Sequence, residues 1–215
     1  MDVQGIILNI AIYAIPAVFA ITLHEAGHAY AAKFFGDKTA WMLGRTSINP
    51  ARHIDPVGTI LVPILTSFTG FVFGWAKPVP VNFENLRDPK RDMLWVAAAG
   101  PGANLAMALG WVLVAKVLLT AGGDGIAYEY WIRVADAGIK VNVMLAVLNL
   151  FPLLPLDGGR ILVSVLPNQL AYQYSRVEPY GMMILILLIV SGALSWMIGP
   201  VMGALLKNLY SLLGF

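Results

Sequence analysis

Apolar residues fall into five long stretches separated by short polar segments, a pattern that predicts a protein built of hydrophobic helices. The stretches cover residues 6–35, 57–75, 93–121, 138–157 and 180–198. All but the second are predicted to cross a bilayer, because a spanning helix needs roughly 20 apolar residues. The chain therefore reads as an all-α polytopic membrane protein.

The second stretch differs from the others because Gly58, Pro63, Gly70 and Gly74 interrupt it. Such residues suit a segment that enters the membrane and returns on the same side. Basic residues cluster in three polar segments, which the positive-inside rule places in the cytoplasm. These segments are 33–52, 77–92 and 158–178. We therefore predict that 57–75 is re-entrant, with an ordinary span and a weak charge bias as the alternative.

Composition agrees with a membrane location, since only 12% of the residues are charged and the mean hydropathy is +0.75. Soluble domains carry about 25% charged residues. The net charge of +2 gives no reason to expect a nucleic acid partner. Cysteine is absent, which excludes disulfides and thiolate metal sites. Any metal must be held by His, Asp or Glu.

Two short segments complete the predicted fold. Residues 200–213 place leucines on one helical face, which is typical of an interfacial helix at the membrane surface. Residues 41–48 are partly apolar and predict a short β-strand at the membrane face. An extended substrate could add to the edge of such a strand. We expect one membrane-embedded domain over residues 1–215, without accessory domains.

The sequence His24-Glu25-Ala-Gly-His28 carries the clearest chemistry in the chain. Two histidines four residues apart share one face of a helix, so both imidazoles can bind one ion. Glu25 lies about 100° around the helix and can reach a water molecule at that ion. Ionisable residues inside an apolar span are costly and need partners, which argues against a chance occurrence. The motif predicts a zinc site with a general base.

A zinc site that hydrolyses peptides needs a third protein ligand and an open position. Asp157 is the best candidate, because it follows an apolar stretch and precedes Gly158 and Gly159. An ordinary aspartate at a helix end or turn fits the bare pattern equally well. His24 and Asp157 can meet only if the helices over 6–35 and 138–157 are parallel. One crossing between them, at 93–121, satisfies this condition.

The chain resembles the site-2 protease family of intramembrane zinc metalloproteases in three motifs. These are His24-Glu25-Ala-Gly-His28, Ala99-Gly-Pro-Gly-Ala-Asn104, and Asn149-Leu-Phe-Pro-Leu-Leu-Pro-Leu-Asp157-Gly-Gly159. The resemblance implies one zinc ion per chain bound by His24, His28 and Asp157, with Glu25 as the general base. It also implies a core of three transmembrane helices with the metal near the cytoplasmic side.

Three further residues are candidates for the site. Asn149 could bind the substrate backbone or the oxyanion, although a helix–helix hydrogen bond is the alternative. Asn104 could support the site, while the glycines beside it suit close helix packing. His53 could lie near the reaction as a transition-state contact or proton relay, it could bind a second metal, or it could be a surface histidine.

These features predict an intramembrane zinc endopeptidase in the cell membrane. Its substrates would be membrane proteins with a transmembrane segment, and gating would come from its loops or a separate regulatory partner. A membrane zinc hydrolase acting on a lipid amide is one alternative. A non-catalytic zinc-bound membrane protein is another, but a structural zinc site has four protein ligands and needs no base such as Glu25.

Overall fold

The computed structural model of the chain describes residues 3–47, 49–50 and 78–214. The predicted re-entrant segment at 57–75 and His53 lie outside the described residues.

The described part of the chain is helical and contains no strand. Two helices, from Ile7 to Phe35 and from Pro89 to Ala121, are long and apolar enough to cross a membrane, and a bent pair near the C-terminus could supply a third crossing. The protein is therefore a helical membrane protein. The helices are α1 (Val3–Phe35), α2 (Thr39–Met42), α3 (Pro89–Ala121), α4 (Gly125–Asn149), α5 (Asp157–Val165), α6 (Asn168–Ser175), α7 (Glu178–Val190) and α8 (Ala193–Ser211).

The ends of α1 and α3 follow from local sequence. Helix α1 stops at Phe35 because Gly36 takes a φ of 120°, which favours glycine. The side chain of Asp88 accepts a hydrogen bond from the Arg91 N–H at the start of α3, with Pro89 in the first helical position. These two helices end where the hydrophobic pattern predicted, at residues 35 and 121.

Helices α1, α3 and α4 form a packed core in which α1 and α4 are parallel and α3 is antiparallel to both. At one end of the core, the Tyr130 hydroxyl of α4 donates to the Ala11 carbonyl of α1. Further along both helices, Asn104 of α3 joins the Ala20 carbonyl of α1 to Asn142 of α4. This arrangement supplies the parallel pair that a site shared by His24 and Asp157 requires.

Helix α4 and Asp157 differ from the prediction for 138–157. The helix begins much earlier, at Gly125, because its charged residues are paired within the helix: Lys140 lies 2.7 Å from Asp136. It ends at Asn149 because Pro152 and Pro155 cannot continue it. Residues 150–156 are not helical, and Asp157 is the first residue of α5 rather than the last of α4.

The C-terminal region also differs from the predicted span at 180–198 and separate tail helix at 200–213. The chain turns by 80° between α7 and α8, at Ser191 and Gly192. Apolar side chains of α8 and of the turn that follows it pack against α3 and α4, including four leucines of the predicted tail helix. The predicted leucine face therefore exists, but it covers the core. The leucines that pack are Leu205, Leu206, Leu209 and Leu213.

The predicted strand at residues 41–48 is not confirmed. Thr39–Met42 is a helical turn, followed by a turn that includes Gly44 at a φ of 66°. Both the backbone N–H and the hydroxyl of Thr39 donate to the Asp37 carboxylate, which stabilises the start of this turn. These local hydrogen bonds therefore outweigh the extended preference of the apolar residues that follow.

Alanine substitutions at Gly192 and Gly203 test whether the chain bends before α8. A Cβ atom would meet nothing within 4 Å at Gly192 or Gly203. Gly192 has a φ of 74°, so Gly192→Ala should lower the free energy of unfolding by about 1–2 kcal/mol. Gly203 lies inside α8, so Gly203→Ala should raise it by roughly 0.5–1 kcal/mol. Thermal unfolding in detergent measures both, and equal effects would contradict the bend.

Candidate metal centre

Three potential metal-ligating atoms from two separate parts of the chain converge at one point. The Nε2 atoms of His24 and His28 lie 3.1 Å apart. Each of them lies 3.3 Å from Oδ2 of Asp157. Among the described residues, His24, His28 and Asp157 are the cluster of His, Asp or Glu side chains whose ligand atoms lie close enough together to hold a metal ion. The structure thus brings together the ligand set expected from sequence.

The hydrogen bonds on the far side of each imidazole determine which nitrogen carries hydrogen. Nδ1 of His28 lies 2.7 Å from the Val96 carbonyl, which can only accept. Nδ1 of His24 lies 2.6 Å from Oδ1 of Asn104. In its neutral form each imidazole therefore carries hydrogen on Nδ1 and presents the lone pair at Nε2. A carboxylate oxygen faces these two lone pairs.

The three atoms fit a zinc ion in spacing and in charge. Zinc–nitrogen and zinc–oxygen bonds of about 2.0–2.1 Å in a tetrahedron place the ligands about 3.3–3.4 Å apart, close to the observed triangle. Oδ2 of Asp157 is buried and has no hydrogen-bond partner. A buried carboxylate oxygen without a partner is costly. A cation at the centre of the triangle removes that cost and the repulsion between the lone pairs.

Asn104 fixes His24 through a relay of buried amides. Its Nδ2 donates to the Ala20 carbonyl and to Oδ1 of Asn142, which leaves Oδ1 to accept from His24. Asn142 in turn donates to the Gly138 carbonyl. Both asparagines are completely buried. Partners of this kind orient a metal-binding histidine and set its tautomer, so the proposed supporting position of Asn104 agrees with the geometry.

Helices α1 and α3 lie so close together that the two imidazoles fit between them only because residue 100 of α3 is a glycine. A Cβ atom on Gly100 would overlap both the His28 ring and Cε1 of His24. A Cβ atom on Gly27 would lie 2.9 Å from the Ala99 carbonyl oxygen. At Gly102, by contrast, a Cβ atom meets nothing within 4 Å. The packing role expected for these glycines therefore holds for Gly100 and not for Gly102.

The loop before α5 delivers Asp157. Its turns stack against Gly158 and Gly159, where a Cβ atom would overlap the backbone of residues 150–154. Because Asp157 stands in the first turn of α5, its negative charge also lies at the favourable end of the helix dipole. The two glycines after the aspartate are thus required by close backbone contact, as the sequence suggested.

Glu25 occupies the position next to the first histidine and is partly buried. Its Oε2 accepts a hydrogen bond of 2.7 Å from the backbone N–H of Val79. Asn149, the last residue of α4, donates its side-chain amide to the Leu145 carbonyl within its own helix. An oxyanion role for Asn149 stays a prediction, and so does a role for His53.

Two contributors were missed from sequence, Asn142 and the Val79 N–H. Asn142 was visible as a polar residue inside an apolar stretch, which is an available signal for a buried hydrogen-bond partner. A backbone donor such as Val79 leaves no signal in side-chain chemistry.

Comparison with known proteins places the chain in a family. It is 34% identical to "Putative zinc metalloprotease YwhC" of Bacillus subtilis (strain 168), over 88% of this chain and 85% of that protein. The model of peptidase family M50 matches residues 114–192. The chain belongs to peptidase family M50. The resemblance to site-2 proteases is thereby confirmed, and the family supports assignment as a membrane metalloprotease.

More distant M50 relatives have the same kind of name. "Putative zinc metalloprotease Rip2" of Mycolicibacterium smegmatis is 28% identical over 83% of this chain and 66% of its own. Rip2 of Mycobacterium tuberculosis (strain H37Rv) is 27% identical over 85% of this chain and 68% of its own. No solved structure matches the chain.

Gly100→Ala should reduce the metal content of the purified protein strongly, because the added methyl group displaces both imidazoles. Gly102→Ala provides a matched control two residues away, since its methyl group has open space. Elemental analysis after mild dialysis measures the difference. Equal metal content in the two variants would contradict the site geometry.

Asn104→Ala should weaken zinc binding by roughly 10–100-fold, because His24 loses the acceptor that fixes its tautomer. Competition against a chromophoric chelator gives the affinity. Wild-type affinity in this variant would show that the amide relay does not orient the ligand.

Proposed function

We propose that the protein is an intramembrane zinc metalloendopeptidase of the site-2 type, holding one zinc ion per chain with His24, His28 and Asp157. The observation that supports this best is the triangle formed by Nε2 of His24, Nε2 of His28 and Oδ2 of Asp157, with edges of 3.1–3.3 Å. Glu25 adjoins this triangle in sequence and supplies a carboxylate as general base. Three protein ligands leave the open position that a catalytic site needs.

A zinc ion held there supplies Lewis-acid activation of water and of the scissile carbonyl. Glu25 takes the proton from the attacking water on its carboxylate and returns it to the leaving amine. With their Nδ1 hydrogens bonded to Asn104 and Val96, His24 and His28 would each offer the Nε2 lone pair to the ion. Asn149 is proposed to bind substrate backbone near this point.

Burial and aromatic residues support a site inside the membrane. Exposed Tyr13 and Tyr30 lie 17 residues apart on α1, which is about 25 Å along a helix. Aromatic residues with polar tips mark membrane interfaces, and the hydrocarbon core is about 30 Å thick. His24 then lies about 9 Å below the Tyr30 level. We infer that α4, packed along α1 and α3, is the third crossing of the core.

Charge supports a cytoplasmic orientation for that end of the core. In the described part of the chain, the ends of α1 and α3 near Tyr30 and the segments beside them carry six basic residues, whereas residues 122–137 at the opposite end carry Arg133 alone among Asp124, Glu129 and Asp136. Basic loops face the cytoplasm in most membrane proteins. The basic residues are Lys33, Lys38, Arg45, Arg87, Lys90 and Arg91. The proposed protein is thus multi-pass, with its site in the cytoplasmic half of the bilayer.

The proposed substrates are membrane proteins cleaved in or near a transmembrane segment. A helix hides its peptide bonds in internal hydrogen bonds, so a substrate must unwind before a carbonyl can reach the metal. Regulation by a separate partner fits this scheme but is proposed on sequence alone.

Glu25→Gln should keep zinc and lose turnover by roughly 10²–10⁴-fold, since the amide cannot accept the proton. Hydrolysis of fluorescently labelled β-casein in detergent and elemental analysis measure the two properties. In cell membranes, uncleaved substrate segments should accumulate when Glu25→Gln is expressed and should not accumulate when the wild type is expressed.

Wild-type turnover by Glu25→Gln would sink the proposed mechanism. Release of fatty acid from an N-acyl lipid with no cleavage of any protein would favour the lipid amidase instead. A zinc-loaded protein without either activity would favour a non-catalytic role.

A further inference from the structure

Asp37 is a completely buried carboxylate just beyond the end of α1 that no part of the proposed chemistry uses. Its Oδ1 accepts from the N–H and hydroxyl of Thr39 and from Nδ2 of Asn85. Its Oδ2 accepts the backbone N–H of Asn82 at 2.8 Å. Burial raises the pKa of Asp37, but the hydrogen bonds from Thr39, Asn82 and Asn85 outweigh it and lower the pKa. The Asp37 carboxylate is ionised, and both of its oxygens accept hydrogen bonds.

Asn82 is the last residue of a short non-helical segment, residues 78–82, which we call the strap. Asp37 holds one end of the strap through the Asn82 N–H. At the other end, the Arg45 guanidinium donates to the Pro78 carbonyl at 3.4 Å. Pro78 and Pro80 limit the backbone between these ties. The strap is therefore fastened at both ends and stiff between them.

The middle of the strap contacts the catalytic carboxylate. Val79 is the one residue between Pro78 and Pro80, and its N–H donates to Oε2 of Glu25. Its side chain is buried against Ala29 of α1 and Ala40 of α2. The distance of 2.7 Å is that of a strong hydrogen bond to a charged acceptor. One oxygen of Glu25 is thereby fixed in place.

We propose that Asp37 is a positioning residue for Glu25: it anchors the strap so that the Val79 N–H holds one oxygen of the general base, leaving Oε1 to take the proton. This inference rests on the proposed role of Glu25. Asp37 itself acts at a distance, through Asn82 and Val79. A general base that turns freely about its last bond has its oxygen in the reactive orientation only part of the time.

Asp37→Asn breaks this tie selectively. The amide oxygen can still accept from Thr39 and Asn85, while its NH₂ group faces the Asn82 N–H, donor against donor. Thr39→Val is the matched control, because it removes one donor to Oδ1 and leaves the Asn82 contact intact. Val79→Pro deletes the N–H that contacts Glu25.

The measurements are kcat and KM for labelled β-casein, zinc content, and amide hydrogen exchange resolved to Val79. Asp37→Asn and Val79→Pro should each lower kcat by about tenfold, part of the full contribution of a general base. KM should change less than about twofold and zinc content should not change. The double variant should be no slower than either single variant, because both act through one contact. The control variant Thr39→Val should keep kcat within about twofold of wild type.

Hydrogen exchange tests the contact without any turnover. Asp37→Asn and Glu25→Ala should each speed exchange at Val79, and Thr39→Val should not. Slow exchange at Val79 in Asp37→Asn, or an unchanged kcat, would overturn the proposal. Loss of zinc together with kcat would assign Asp37 a structural role only and would also overturn it. Full turnover by Glu25→Gln would instead refute the proposed function, whatever the exchange data show.

Discussion

The candidate metal centre depends on the hydrogen bonds that the Nδ1 atoms of His24 and His28 make. Val96 and Asn104 accept the Nδ1 hydrogens of His28 and His24, so both bare nitrogens point at one place. The Asp157 carboxylate reaches the same place from a distant part of the chain. Three electron pairs can meet in a buried setting only around a cation. The helices are packed to bring this about.

Between α1, α3 and α4, glycines and asparagines occupy positions where larger apolar residues would bury more hydrophobic surface. Gly27 and Gly100 let α1 and α3 approach closely, and buried Asn104 and Asn142 replace apolar contacts between three helices. A buried amide stabilises a fold only when all its hydrogen bonds are formed. Here the available partners are backbone carbonyls and another amide, so each group has one orientation.

The sequence predicted those parts of the candidate site that depend on the identity of a side chain. His24, Glu25, His28 and Asp157 were predicted from motif spacing and family resemblance, and the ends of α1 and α3 were predicted from hydrophobic length. The end of α4 could not be placed, because an apolar run continues through the non-helical loop at 150–156. The bend at Gly192 was likewise hidden inside a uniform apolar run, since a single glycine does not reveal its φ.

The strand predicted at 41–48 and the contact with Glu25 illustrate a second limit. The apolar side chains there favour an extended chain, yet a helical turn forms in its place, with Asp37 accepting hydrogen bonds from Thr39 at its start. The backbone donor on Glu25 comes from a segment far away in sequence, and its N–H is common to nearly every residue type. Tertiary contacts of the backbone are the part of a site that residue identity does not encode.

Asn104 also has a consequence for how the centre and the fold are related. Its amide contacts α1 and α4 while it stands on α3, so assembling the core and orienting His24 are a single event. Small zinc domains differ, because their chains fold only when the ion arrives. In this protein the ligands are preorganised, and a chelator should strip the ion from an intact scaffold that can be reloaded, even with a different divalent metal.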